Sequence, residues 1–256
     1  MLCPSGIDPP RETPAMALHR TALALCLAPV LILSAPGARA TCSDLSLVLA
    51  VDDSSSIDAD EYQLQIQGYS KAFADPAVQR AIAAVGRVDV AVVFWADSDF
   101  PFQILPWHSI RSAQDATALA AEILHTPRRI AGDTDLGAGL NAALDLLDRP
   151  DRCTARAVIN VSGDGRASKG PGRAVQVPLP QARARAARLG VMVNGLAIVN
   201  AQPALAEYYR DNLITGIGSF VMSVSGFDTF GAAIQKKLIR EIAPQLAASL
   251  EHDAAH

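Results

Sequence analysis

The chain has 256 residues, half of them apolar, with 19% charged and 5% aromatic side chains and a formal net charge of −4. An apolar share that high excludes intrinsic disorder, and the length is ample for a domain with a sizeable core. The mild negative charge and the lack of a Lys/Arg stripe exclude a general nucleic-acid binder; Arg183, Arg185 and Arg188 come nearest and read as the solvated face of one Ala-rich helix.

Residues 1–15 are Pro-rich and aperiodic, and a second pattern opens at Met16. His19 and Arg20 lead into a 15-residue apolar run at 21–35, and Ala38-Arg39-Ala40 follows as a small-residue cleavage signal. This is the layout of a secretory signal peptide cut near Ala40, with Met16 as initiator. Pro29 interrupts the run, and the run is shorter than the roughly 20 residues that cross a bilayer, which disfavours a membrane anchor. Leu25 before Cys26 is too large for a lipoprotein signal. No later segment is long and apolar enough to span, so the mature chain is expected in the periplasm or outside the cell. Cleavage takes three of 22 basic and two of 26 acidic residues, leaving 19 against 24. It also takes Cys3 and Cys26, leaving Cys42 and Cys153. Two cysteines in an oxidising compartment suggest one disulfide, because their spacing fits neither a zinc site nor a redox pair.

The rest alternates strands and helices. Residues 45–51 form a near-continuous apolar run, like a strand buried on both faces. Asp58 and Glu61 make a capping-box start, with Tyr62, Ile66, Tyr69 and Phe73 at helical spacing behind it. Residues 87–96 give a second strand, 97–99 a turn, and 102–107 a short returning strand, so tight a connection implying an antiparallel hairpin. Ser112 caps a helix through Ala116, Leu119 and Ile123, and Leu136, Leu140, Ala143, Leu144 and Leu147 mark another. Strand 155–161, helix 181–189 stopped by Gly190, strand 191–199 broken at Asn194-Gly195, and helix 205–213 follow. Strand 220–224 and a helix from Phe227 to a limit at Pro244 close the pattern, and 251–256 read as a loose tail. Strands separated by helices mean an α/β, Rossmann-like, doubly wound and mostly parallel sheet, with one antiparallel edge strand and helices on both faces, in one domain over 42–250.

Ligands of such sheets bind beyond the carboxyl ends of the strands. Three polar clusters lie there: Asp52-Asp53-Ser54-Ser55-Ser56, Gly132-Asp133-Thr134-Asp135, and Ser162-Gly163-Asp164-Gly165. All offer hard oxygen donors, without thiol or imidazole, which suits Mg²⁺, Mn²⁺ or Ca²⁺ and disfavours zinc or copper. In a tight loop alternate residues point one way, so Asp52, Ser54 and Ser56 can converge. Taken alone, the first cluster also fits capping and turn chemistry.

The order of the three clusters resembles the von Willebrand factor A domain, whose metal-ion-dependent adhesion site uses Asp-x-Ser-x-Ser, then a Thr, then an Asp in that order. Here the matching residues are Asp52, Ser54, Ser56, Thr134 and Asp164, and the likeness covers nearly all of 42–250. The chain also resembles a group of secreted bacterial single-domain proteins of this kind. The resemblance implies direct coordination by the two Ser and the Thr, with the two Asp direct or through water. Small oxygen-only sites with bound waters suit Mg²⁺ or Mn²⁺ better than Ca²⁺. Asp53 stands where an apolar residue is frequent, and Asp135 where Ser or Asn is common. With Asp97, Asp99 and Asp133 they are expected to form an acidic rim, calling for basic residues on a partner. In this fold the strands that follow Cys42 and Cys153 are expected to be parallel neighbours, which places the two cysteines in bridging range.

Three hydroxyls and two carboxylates neutralise a divalent ion only in part, so it would still seek an anionic ligand, such as a carboxylate from an unknown protein partner. His108 and His125 read as surface and cap residues, and no nucleophile–base pair flanks the site, so a non-enzymatic adhesion module is expected. One alternative is a Mg²⁺-dependent phosphohydrolase of haloacid-dehalogenase type, matched by Asp52 and Gly163-Asp164-Gly165 but lacking the second Asp of Asp-x-Asp. Another is a metal-free scaffold of the same fold. No nucleotide loop is present, and the sequon at Asn160 falls in a strand that reads as buried.

Overall fold

The computed structural model describes residues 42–170 and 172–248. The export signal, the cleavage point near Ala40 and the tail at 251–256 lie outside them. Six strands form one sheet in the order β3-β2-β1-β4-β5-β6. They are β1 (Leu45–Asp52), β2 (Val88–Trp95), β3 (Gln103–Ile110), β4 (Ala157–Gly163), β5 (Met192–Ile198) and β6 (Val221–Val224). All neighbours pair parallel except β2 and β3, so the hairpin strand is the antiparallel edge.

Among the described residues the α-helices are α1 (Ala59–Ala74), α2 (Pro76–Val85), α3 (Ala113–Leu124), α4 (Leu136–Leu147), α5 (Leu179–Arg188), α6 (Leu205–Asn212) and α7 (Phe230–Ile242). Strand periodicity sorts the core into two layers. Leu45, Leu47, Leu49 and Val51 of β1 pack under α1, α2, α3 and α7, while Val48 and Ala50 face α4, α5 and α6. The near-continuous apolar run is thus a strand covered on both faces.

Local signals explain most boundaries. Asp58 and Glu61 form the expected capping box on α1, and Ser112 with Asp115 forms another on α3. The second helix, α2, was not expected. Asp75 ends α1 and its Oδ1 accepts the Ala77 N–H at 2.7 Å, while Pro76 supplies the first residue of α2. Strand β5 runs unbroken through Asn194-Gly195, contrary to the sequence expectation. Asn194 donates to Glu241 Oε1 at 3.0 Å and accepts from Phe220 N, and a Cβ on Gly195 would lie 3.0 Å from the Tyr209 ring. The buried amide and the bare glycine therefore serve packing against α7 and α6 and make no turn. Strand β4 starts and ends two residues later than 155–161, because Ser162 and Gly163 pair with β5 and the Ser162 hydroxyl accepts from Tyr69 Oη at 3.1 Å. Asn160 is buried and donates to Glu241 Oε2 at 2.7 Å, as its burial in the sequence reading required. Arg183 and Arg185 are not a free helix face: they bond the Ile214 carbonyl and the Asp145 and Asp148 carboxylates.

Cys42 and Cys153 form a disulfide with a Cα–Cα distance of 4.8 Å. Ser43 and Thr154 form a parallel bridge beside it, so the starting ends of β1 and β4 are neighbours. Among the described residues no helix is long and apolar enough to cross a membrane. The disulfide fits an oxidising periplasmic or extracellular setting.

Candidate metal centre

Strand order reverses between β1 and β4, and the crevice at their carboxyl ends is where α/β sheets place ligands. Asp52 ends β1 and Asp164 follows β4; their strands are in register through Val51 and Ser162. Asp52 turns back on its own loop, its Oδ1 accepting the Ser54 N–H at 2.9 Å. Ser54 Oγ lies 3.1 Å from Ser56 Oγ, and Ser56 donates to Asp164 Oδ1 at 2.6 Å. Thr134 stands at the entry to α4 with its Oγ1 3.4 Å from where a Cβ on Gly165 would sit, directly beside Asp164. The structure therefore gathers all five expected residues at one point of the sheet.

Both carboxylates are buried, and Asp52 Oδ2 has no hydrogen-bond partner among the described residues. Burial, and then the charge of Asp164, push the Asp52 carboxyl up to about 8. Burial likewise raises Asp164, against the hydrogen bond from Ser56. Two adjacent buried acids with one orphaned oxygen form a pocket of negative potential, and a divalent cation is the group that would satisfy it. Among the described residues no three His, Cys, Asp or Glu side chains gather as a metal cluster. The donor set here has two carboxylates and draws the rest from hydroxyls, so a small hard cation fits it and a soft one does not.

Several supporting residues were not among the five ligands read from the sequence. A Cβ on Gly163 would lie 2.7 Å from Asp52 Oδ2 and 2.8 Å from Tyr209 Oη, so only glycine leaves that oxygen room. Gln65 donates to the Asp52 carbonyl at 3.1 Å from α1. Arg128 bonds the Ser54 carbonyl at 3.1 Å and approaches Asp53 Oδ1 at 2.7 Å in an ion pair without hydrogen-bond geometry. Burial pushes Asp53 up to about 6, with Arg128 opposing. Gln65 and Arg128 thus hold the first loop from outside the three motifs.

The acidic rim is corrected. Asp53, Asp97 and Asp135 are buried, and only Asp99 and Asp133 keep partly exposed side chains. Lys169, itself buried, pairs with Asp97 at 2.8 Å and with Asp135 at 3.5 Å. Arg173 clamps Asp97 and Asp99 and reaches Asp133 at 3.2 Å. Desolvation would raise Asp97, yet Lys169, the Asp99 N–H and Arg173 hold it at about 2. Asp135 caps α4, accepting the Ala138 N–H at 3.2 Å. The compensating cations, Arg128, Lys169 and Arg173, lie outside the short acidic motifs, which therefore suggested a charge that folding neutralises. His108 pairs with Glu122, and His125 bonds the Ala121 carbonyl at the end of α3.

Sheet order, the lone antiparallel edge and the two helical layers define a Rossmann-like, doubly wound α/β fold. The chain belongs to the family described as Protein of unknown function (DUF1194), whose model matches residues 41–246. No curated protein matches it significantly. The pilus adhesin SpaC from Lactobacillus rhamnosus GG is 13% identical with a TM-score of 0.56, over 79% of this chain and 31% of its own. Proximal thread matrix protein 1 from the mussel byssus is 17% identical with a TM-score of 0.51, over 78% and 46%. The SpRpn10 VWA domain is 14% identical with a TM-score of 0.49, over 76% and 95%. This chain spans less than half the length of the first two, and at these identities the likeness shows the fold alone.

Proposed function

We propose that the protein is an exported binding module that engages a protein partner through a divalent cation, Mg²⁺ or Mn²⁺ rather than Ca²⁺, held by Asp52, Ser54, Ser56, Thr134 and Asp164. One observation carries the reading: Asp52 Oδ2 is buried without a partner beside a second buried carboxylate. Bound there, the cation would offer a Lewis-acidic position to a carboxylate oxygen from the partner. Ser54, Ser56 and Thr134 supply only neutral oxygens, so the two carboxylates are the ion's only anionic ligands and a coordination position would stay open for one from the partner. The Ser56 bond to Asp164 and the Ser54 bond to Asp52 hold both acids in place beforehand. Export and a binding role agree with the disulfide, and a partner-binding role agrees with an adhesin among the fold relatives.

The test is capture from the native envelope fraction with wild type and Thr134→Ala, each with and without EDTA. A partner retained by wild type in Mg²⁺ and lost in EDTA and in Thr134→Ala is the expected result. A partner indifferent to both would place the interface elsewhere. A phosphatase assay on the Mg²⁺-loaded protein separates the haloacid-dehalogenase alternative, for which turnover is required and is not expected here. A metal-free scaffold would capture its partner equally in EDTA.

A further inference from the structure

Beside the candidate ion site lies a pocket that none of the five ligand residues lines. Its walls come from the loop before β3 and from the segment before Thr134: Phe100, Phe102, Ile104 and Ile130, with Arg129 and Gly132. Phe100 is 59% and Ile104 46% exposed, so two of the large apolar side chains left in water on this protein share one pocket. Arg129 is exposed and has no ion pair among the described residues, whereas its chain neighbour Arg128, and Lys169 and Arg173, are engaged with carboxylates. One wall of the pocket is tied to the first ion-site loop. Gly132 exchanges two hydrogen bonds with Ser55, its carbonyl accepting at 2.9 Å and its N–H donating to Ser55 Oγ at 2.8 Å, and Ser55 sits between the hydroxyls of Ser54 and Ser56.

The occupant follows from this chemistry. Strand addition to the β3 edge is disfavoured, because Pro106 has no N–H and the ladder is irregular opposite Val90 and Val92. Recognition there falls to side chains. We propose that this pocket seats a large apolar side chain of the partner segment whose carboxylate reaches the ion, with a further acidic residue of that segment against Arg129. The proposal rests on the metal-bridged reading and reverses the charge expected of the partner, since the acidic groups of this face are already neutralised within the protein.

Alternate residues of an extended segment share a face and lie about 7 Å apart, which sets the probe. It is a glycine–serine peptide with one Glu, a Phe two positions on, and a second Glu after it; the control has Ser for Phe. Binding to the Mg²⁺-loaded, ¹⁵N-labelled protein is followed by NMR, and Mg²⁺ is titrated separately. The Phe peptide is expected to bind about tenfold tighter than the control, as burial of a ring in a half-open pocket allows. Phe100→Ser and Arg129→Glu, both on exposed side chains, should each remove most of that preference and leave Mg²⁺ affinity unchanged. Equal binding of the two peptides, or a preference indifferent to both substitutions, overturns the pocket and leaves the ion reading to the Mg²⁺ titration. A Phe preference that survives EDTA yet depends on Phe100 supports the pocket and counts against the ion.

Discussion

Replacing Asp52 by Asn should stabilise the ion-free protein while destroying its ion site. The folded-state carboxyl lies near 8 against an ordinary value of 3.8, through burial first and Asp164 second. A raised acid binds its proton more tightly folded than unfolded, so ion-free stability is full below about pH 4 and falls as pH rises toward 8. At pH 7 the cost is on the order of 4 kcal/mol. Asn keeps the oxygen that accepts from Ser54 N–H and removes the charge, but its amide group enters the orphaned Oδ2 position. Charging that group about 2 kcal/mol for imperfect pairing leaves a net gain of about 2 kcal/mol, or roughly 4–8 °C in Tm for a domain this size. Calorimetry in EDTA at pH 7 should show the variant melting higher, with the gap shrinking at pH 5. Excess MgCl₂ should then raise wild type and leave the variant unmoved. A variant that melts below wild type in EDTA at pH 7, or gains as much from MgCl₂, would refute the reasoning.

Two further outcomes follow from the same geometry. The disulfide closes a loop with a sequence separation of 111, so Cys42→Ser with Cys153→Ser should lose about 4–5 kcal/mol in the chain-entropy model, read as a lower denaturant midpoint; an unchanged midpoint would remove its structural role. Gly163→Ala forces a methyl against Asp52 Oδ2 and Tyr209 Oη, and should weaken Mg²⁺ binding at least tenfold by calorimetry in a protein that still folds by circular dichroism; wild-type affinity would mean Oδ2 is not a ligand.

Legibility in the sequence tracked how local the physics was. The apolar run of β1 and the capping boxes at Asp58 and Ser112 depend on neighbours within a few residues, and they were readable. So were the short motifs carrying Asp52, Ser54, Ser56, Thr134 and Asp164, because each ends a strand or opens a helix. Long-range partners were not. Asn194-Gly195 looks like a turn until Glu241 and Tyr209 are brought against it. The acids around the site look like an exposed rim until Lys169, Arg173 and Arg128 arrive from elsewhere in the chain. The helix at 76–85 was hidden because Asp75-Pro76 reads as a stop, whereas it both ends one helix and starts the next.

The most direct test of the central claim is calorimetric titration of the mature protein with Mg²⁺ and with Mn²⁺. The account predicts one saturable site per chain, weaker for Ca²⁺, and loss of the binding heat in both Ser56→Ala and Asp164→Ala with the fold intact. Absence of binding by wild type, or an affinity unchanged in both variants, would contradict it.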